Sequence, residues 1–176
     1  HMPYKGLIMA ILISPMIVPL IITAAGMFFF YARINLVYTF TGVILAHVAL
    51  ATPFVVITVT ATLVGFDMNM VKAAQSLGAK PMRTFFKVIM PLILPGIISG
   101  ALFAFITSFD EVVIVMFMAS IDQLTIPKQM WAGIRQEISP VILCMATCLV
   151  LLSIFLLTTV ELLRRRSEKL RGIKAR

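Results

Sequence analysis

Few side chains in this sequence are equipped for chemistry, and their placement matters more than their number. Asp110 and Glu111 stand side by side inside a long apolar stretch. A charge near bilayer depth costs from ~2.5 kcal/mol upward, so it faces a cavity or a partner. Two readings of the pair stay open. In one, Asp110 and Glu111, with Ser108 beside them, lie in a translocation path and suit a cationic solute. In the other, they mark a break in the chain, cap the segment from Val112 onward and pair with Arg135 or Lys128. His47 has no carboxylate or second histidine near it in sequence. A packed or hydrogen-bonded imidazole is the expectation there, ahead of a ligand. Cys144 and Cys148 lie one helical turn apart and read as small hydrophobes, since a metal would want more ligands. The sequence contains no H-E-x-x-H, G-x-S-x-G or G-x-x-x-x-G-K-[ST] pattern. No catalytic, cofactor-binding or metal site is assigned, and energy for any transport must come from another chain or an ion gradient.

The elements that position these residues are set by composition. Of 176 residues, 61% are hydrophobic and only 12% are charged. A soluble domain of this length needs more polar surface than that. Disorder is excluded by the apolar content, and a disulfide-stapled module by the presence of only two cysteines. An all-α membrane protein remains. The net charge of +8 is concentrated in two blocks. Residues 67–87 hold four bases and one acid, and residues 161–176 hold seven bases and two acids. Short basic blocks beside long apolar runs suggest cytoplasmic segments, not a nucleic-acid surface.

About four spans are legible, near residues 7–31, 40–64, 91–118 and 139–163. Pro15 and Pro19 are expected to kink the first. The β-branched run of residues 55–62 reads as helix, because an open sheet edge cannot face lipid. Residues 127–136 suit a short interfacial helix, with Trp131 at the interface. The basic blocks place both termini and the loop of residues 67–90 inside the cell. Gly96, Gly100, Ala104 and Ser108 recur every four residues, a small-residue stripe for close helix packing. Its partner is open; a span of a second subunit is one candidate. Residues 1–2 read as a tag scar, residues 3–164 as the transmembrane domain and residues 165–176 as a basic cytoplasmic tail.

The loop of residues 67–90 is the most informative stretch. A short helix to Leu77 is expected to end at Gly78, which suits a C-terminal cap. A second helix is expected to start at Pro81, which suits a first turn. Ala74, Leu77, Phe85 and Ile89 form the expected apolar side, and the bases the exposed side.

Here the sequence resembles a known family. Ala73, Ala74, Gly78, Ala79, Phe85, Ile89, Pro91, Pro95 and Gly96 match the signature loop of binding-protein-dependent ABC importer permeases. Leu63-Val64-Gly65-Phe66-Asp67, Ser108-Phe109-Asp110-Glu111, Ile126-Pro127 and Ile138-Ser139-Pro140 are similar to the spermidine/putrescine branch. The resemblance implies a type I permease fold with a coupling helix between the second and third legible spans. It implies an ATPase contact formed by Lys72, Ala73, Ala74, Gly78, Ala79 and Arg83. Lys72 departs from the family's usual Glu, which puts that one contact in question. The implied partners are an ABC ATPase dimer holding ATP and Mg, a second permease subunit or an identical copy, a periplasmic substrate-binding protein and the lipid membrane. The implied location is a bacterial inner membrane. The family commonly has six spans, so the first two are expected to be missing from this chain. The rival readings are an ion-coupled secondary transporter or channel, with the acidic pair in its path, and a membrane scaffold.

Overall fold

The computed structural model describes residues 3–136 and 140–170. Every regular element among them is helical. The helices are α1 (Lys5–Ile17), α2 (Leu20–Arg33), α3 (Phe40–Val64), α4 (Met68–Ser76), α5 (Pro81–Thr84), α6 (Met90–Phe109), α7 (Val113–Met118), α8 (Ile126–Gln136) and α9 (Pro140–Leu170). A π-helical turn, Phe85–Ile89, joins α5 to α6. Three stretches are long and apolar enough to cross a membrane: Phe40–Val64, Pro81–Phe109 and Pro140–Thr159. The β-branched run of α3 is helical, as its setting in an apolar span requires.

The first expected span is not a kinked rod. Its two halves, α1 and α2, bend by 111° at their junction. Pro19 is the cause. A residue before proline is pushed out of the helical region, and Val18 lies at φ −75°, ψ 136°. Pro15, by contrast, sits within α1.

The third expected span also differs from its sequence boundaries. The helix begins at Pro81 and ends at Phe109, so Pro91 and Pro95 lie inside it and not at its entry. Proline removes a backbone donor and crowds the carbonyl four residues earlier. The π-turn widens the helix just before Pro91, and Met90 N bonds to Phe85 O across it. Inserted residues of this kind relieve the strain that a proline introduces. Residues 113–118 are not a continuation of the span. They form α7, in which Ile114, Val115 and Met118 are buried.

Two packing units follow. Ala24 of α2, Ala46 and Leu50 of α3, and Ile114 and Met118 of α7 form one core cluster. The second is the α3–α6 interface. A Cβ added at Gly96 would strike the Thr62 hydroxyl and lie 2.8 Å from Thr62 Cβ. One added at Gly100 would strike the Thr58 hydroxyl and lie 3.0 Å from Val55 Cα. The small-residue stripe therefore faces α3 of the same chain. Both threonines turn their hydroxyls back onto their own helix, to Phe54 O at 2.8 Å and to Thr58 O at 2.9 Å. This masks their polarity and leaves smooth grooves for the glycines. Phe54 and Phe103 stack between the same helices, with ring centroids 6.4 Å apart.

The amphipathic stretch before the last span folds as α8, and Gly133 packs it against Ile142 of α9. The start expected for the fourth span at Ser139 lies outside the described residues, as do residues 1–2 and the end of the basic tail from 171 onward.

Candidate functional site

The polar and charged residues singled out in the sequence gather at two ends of one helical rod. The first group forms an elbow at its start. Asp67 caps α4, its carboxylate accepting from Asn69 N at 2.9 Å. The other end of α4 closes on Gly78, whose φ of +80° is left-handed. Gly78 N donates to Gln75 O at 2.9 Å and Ala79 N to Ala74 O at 3.1 Å. These two bonds are the Schellman pair, which turns the chain sharply while satisfying the last carbonyls. Lys80 is extended, and Pro81 opens the next helix. The break and restart expected at Gly78 and Pro81 are thus present.

The faces of the elbow differ in detail from the expectation. Leu77 is 89% exposed and does not belong to the inward side. Val71 and Thr84 are the buried residues there, and the sequence reading missed both. Val71 was hidden because the apolar residues of α4, Met68, Met70, Val71, Ala73 and Ala74, are spread around the helix and do not single out one face. Lys72, Ala73, Gly78 and Arg83 are exposed, while Ala74 and Ala79 are half-buried. Met68, Met70, Met82 and Phe86 are also exposed. The elbow therefore offers an apolar surface studded with bases.

The second group sits at the far end of the rod. From Pro81 to Phe109 the helix has 29 residues, roughly 43 Å at helical rise. Ser108 is on its last turn, Asp110 is its C-cap and Glu111 follows. The side chains then part. Glu111 is 7% exposed, and its carboxylate accepts from Ile114 N at 2.7 Å. It fills the role of an N-terminal cap for α7. Asp110 is exposed and lines a cavity of about 530 Å³ between α6, α8 and α9, with Phe105, Trp131, Ile134 and Ile154 also on its wall. Lys128 directs its ammonium to Ala119 O at 3.3 Å.

Ser108 has a partner that sequence spacing did not reveal. Its hydroxyl lies 2.8 Å from His47 Nδ1, across the α3–α6 interface. His47 is thus hydrogen-bonded, as expected of a packed imidazole. Its Nε2 is buried without a partner. The two residues border an open cleft of about 290 Å³, lined also by Phe105, Phe109, Thr125 and Pro127. This pairing joins positions 61 apart in the chain, and no local pattern could have shown it.

Comparison with known proteins agrees with the motif reading. A family model described as "Binding-protein-dependent transport system inner membrane component" matches residues 3–169. The spermidine/putrescine transport system permease protein PotC of Haemophilus influenzae is 29% identical over 164 residues, which are 93% of this chain and 62% of that protein. PotC of Escherichia coli K12 is 28% identical over 165 residues, 94% of this chain and 61% of that protein. The putrescine transport system permease protein PotI of the same strain is 37% identical over 103 residues, 58% of this chain and 37% of that protein. The chain spans about three-fifths of the length of the PotC proteins it matches. These relatives place the resemblance in the polyamine branch. With nearly the whole chain matched and three apolar spans in place, the protein is a multi-pass membrane protein of the binding-protein-dependent transport system inner membrane component family.

Proposed function

We propose that this protein is the permease subunit of an ATP-binding-cassette importer for a small organic cation of the polyamine type. The observation that carries the reading is the continuity of the rod. The elbow at Gly78 runs into one unbroken helix, Pro81–Phe109, whose other end carries Ser108, Asp110 and Glu111. A force applied at the elbow therefore reaches the acidic turn along a single element.

In this reading α1 and α2 together make a fourth span. The basic loop and both ends of the chain face the cytoplasm, following the positive-inside bias. A separate ATPase dimer, binding ATP and Mg, receives α4 and the elbow through Lys72, Ala73, Ala74, Gly78, Ala79 and Arg83. Closure of that dimer tilts the rod, and the path alternates its opening. Asp110 faces the solute on the periplasmic side, where a carboxylate favours a cation, and Glu111 and Ser108 hold the turn behind it through Ile114 N and His47. A second permease subunit or an identical copy completes the path. A periplasmic binding protein delivers the solute. The relatives' names supply the substrate class.

The test uses the full-length protein purified with its partners and reconstituted in proteoliposomes. ATP with a loaded binding protein is expected to drive putrescine or spermidine uptake in the absence of an ion gradient. Uptake that needs a proton or sodium gradient and ignores ATP would refute the proposal.

A further inference from the structure

The cavity of about 530 Å³ beside Asp110 is walled by three helices. α6 contributes Leu102, Phe105, Ile106 and Phe109, the spacing of one helical stripe. α8 contributes Pro127, Met130, Trp131 and Ile134 at the same spacing. This amphipathic helix therefore turns its apolar face onto the cavity, and Gln129 and Gln136 lie on the opposite side. Close packing of Gly133 against Ile142 of α9 holds α8 in that place. α9 supplies the third wall, on which Ser153 carries the one hydroxyl of the lining.

The lining specifies its occupant by contrast. Asp110 is the one charged residue on a wall that is otherwise apolar and aromatic. Among the described residues no base pairs with its carboxylate, and the nearby Lys128 is directed to Ala119 O. A carboxylate at membrane depth calls for a positive partner. A hard metal ion does not fit, because it takes six or more oxygen ligands, and Asp110 and Ser153 are the oxygen-bearing side chains here. A hydrocarbon chain alone fills the apolar part and leaves the carboxylate unmet. An ammonium that carries methylene groups meets both. Phe105 and Phe109 stack with ring centroids 5.3 Å apart, which makes a flat wall for methylenes next to Asp110. The face of an indole attracts a cation more strongly than any other side-chain ring, so Trp131 offers a place for a second positive charge.

We propose that Trp131 is a specificity-determining residue of the solute site, its indole face receiving one ammonium of a diamine whose other ammonium meets Asp110. The methylenes between the two charges lie along Phe105 and Phe109. The inference rests on the transport reading above and deepens it, because it states what makes the site prefer two charges over one. Trp131 is 49% exposed, so its cation contact falls between the fully wet and the fully desolvated cases. Such a contact corresponds to about fivefold to tenfold in affinity.

The test compares putrescine with n-butylamine, which has the same four carbons and one charge. Equilibrium binding of each is measured by displacement of radiolabelled putrescine from the full-length transporter, purified without its binding protein. Trp131→Leu keeps an apolar wall and removes the ring. It is expected to weaken putrescine about fivefold to tenfold and butylamine less than twofold. Trp131→Phe keeps a ring and is expected to hold putrescine within about threefold of the unsubstituted protein. Asp110→Asn is expected to weaken both amines. Equal weakening of both amines in Trp131→Leu overturns the proposal, since the ring then only fills space. A Trp131→Phe variant as weak as Trp131→Leu overturns it as well. Displacement of putrescine by n-butanol as readily as by butylamine would make the cavity a hydrocarbon site and also overturn it. ATP-driven uptake in proteoliposomes is measured in parallel. Failure of uptake while the Trp131-dependent preference for the diamine persists refutes the transport reading and leaves the binding site standing.

Discussion

Replacing Gly100 by alanine is expected to force α3 and α6 apart. The new methyl group would lie 3.0 Å from Val55 Cα, where ordinary contacts fall at 3.4–4 Å. Backbone cannot rotate away, so the helices must separate locally by about half an ångström. The methyl also takes the place of the Thr58 hydroxyl, which bonds to Phe54 O at 2.8 Å and Val55 O at 3.1 Å. Overpacking costs about 1–3 kcal/mol, and a displaced hydroxyl adds about 1 kcal/mol. Alanine in place of glycine gains about 1 kcal/mol of helix propensity. Gly26 of α2 provides the control, because a Cβ there meets nothing within 4 Å. The same substitution at Gly26 carries the same propensity gain, so the difference between the two variants isolates packing. That difference is expected to be about 2–4 kcal/mol, Gly26→Ala being the more stable. Reversible unfolding of the full-length protein in micelles, followed by circular dichroism, measures it. Adding Thr58→Ala to Gly100→Ala removes one of the two collisions and is expected to restore about 1 kcal/mol. Equal stability of the Gly26 and Gly100 variants, within 0.5 kcal/mol, would refute the close approach of α3 and α6.

Gly78→Val places a β-branched residue at φ +80° and is expected to open the Schellman turn. Exchange of the Ala79 amide should accelerate, and capture of the ATPase by the purified permease should fall at least tenfold. Wild-type capture would remove the elbow from coupling. Asp110→Asn with Glu111→Gln is expected to lower cation uptake while leaving α7 folded, because the glutamine oxygen still accepts from Ile114 N. Uptake at the original rate would take the pair out of the path. Ser108→Ala leaves His47 Nδ1 as well as Nε2 without a partner. A loss of about 1–3 kcal/mol is expected, read as a lower unfolding midpoint. The smaller His47→Phe, Ser108→Ala penalty that should accompany it would confirm that desolvation is the cause.

Much of this fold is legible because its signals are local. The apolar runs of α3 and α9, the Gly78 stop and the Pro81 start each depend on residues adjacent in sequence. Family resemblance rests on the same loop and on short segments to either side of it, and the family match extends over residues 3–169. Boundaries failed where two local rules competed. Pro91 and Pro95 suggest a helix entry, yet the π-turn ahead of them absorbs the misfit and lets the helix run from Pro81. Pro15 and Pro19 look alike in sequence, but only Pro19 has an extended residue before it and so turns the chain. Contacts made at long range were not legible at all. The His47–Ser108 pair and the Gln123–Tyr38 hydrogen bond arise from folding, and nothing in the spacing of either residue announces them.

The sharp corner between α1 and α2 carries a consequence for hydration. Pro19 has no N–H, so the Pro15 carbonyl loses the donor that a continuous helix would supply. Ile17 is 76% exposed, and the chain does not wrap the corner. A bare carbonyl in hydrocarbon costs several kcal/mol, which the bilayer interior does not repay. Water or a polar group of a neighbouring chain is therefore expected to meet the Pro15 carbonyl. A corner of this kind suits a wet cavity or the face of a second subunit better than open lipid, and one of these is expected to cover it.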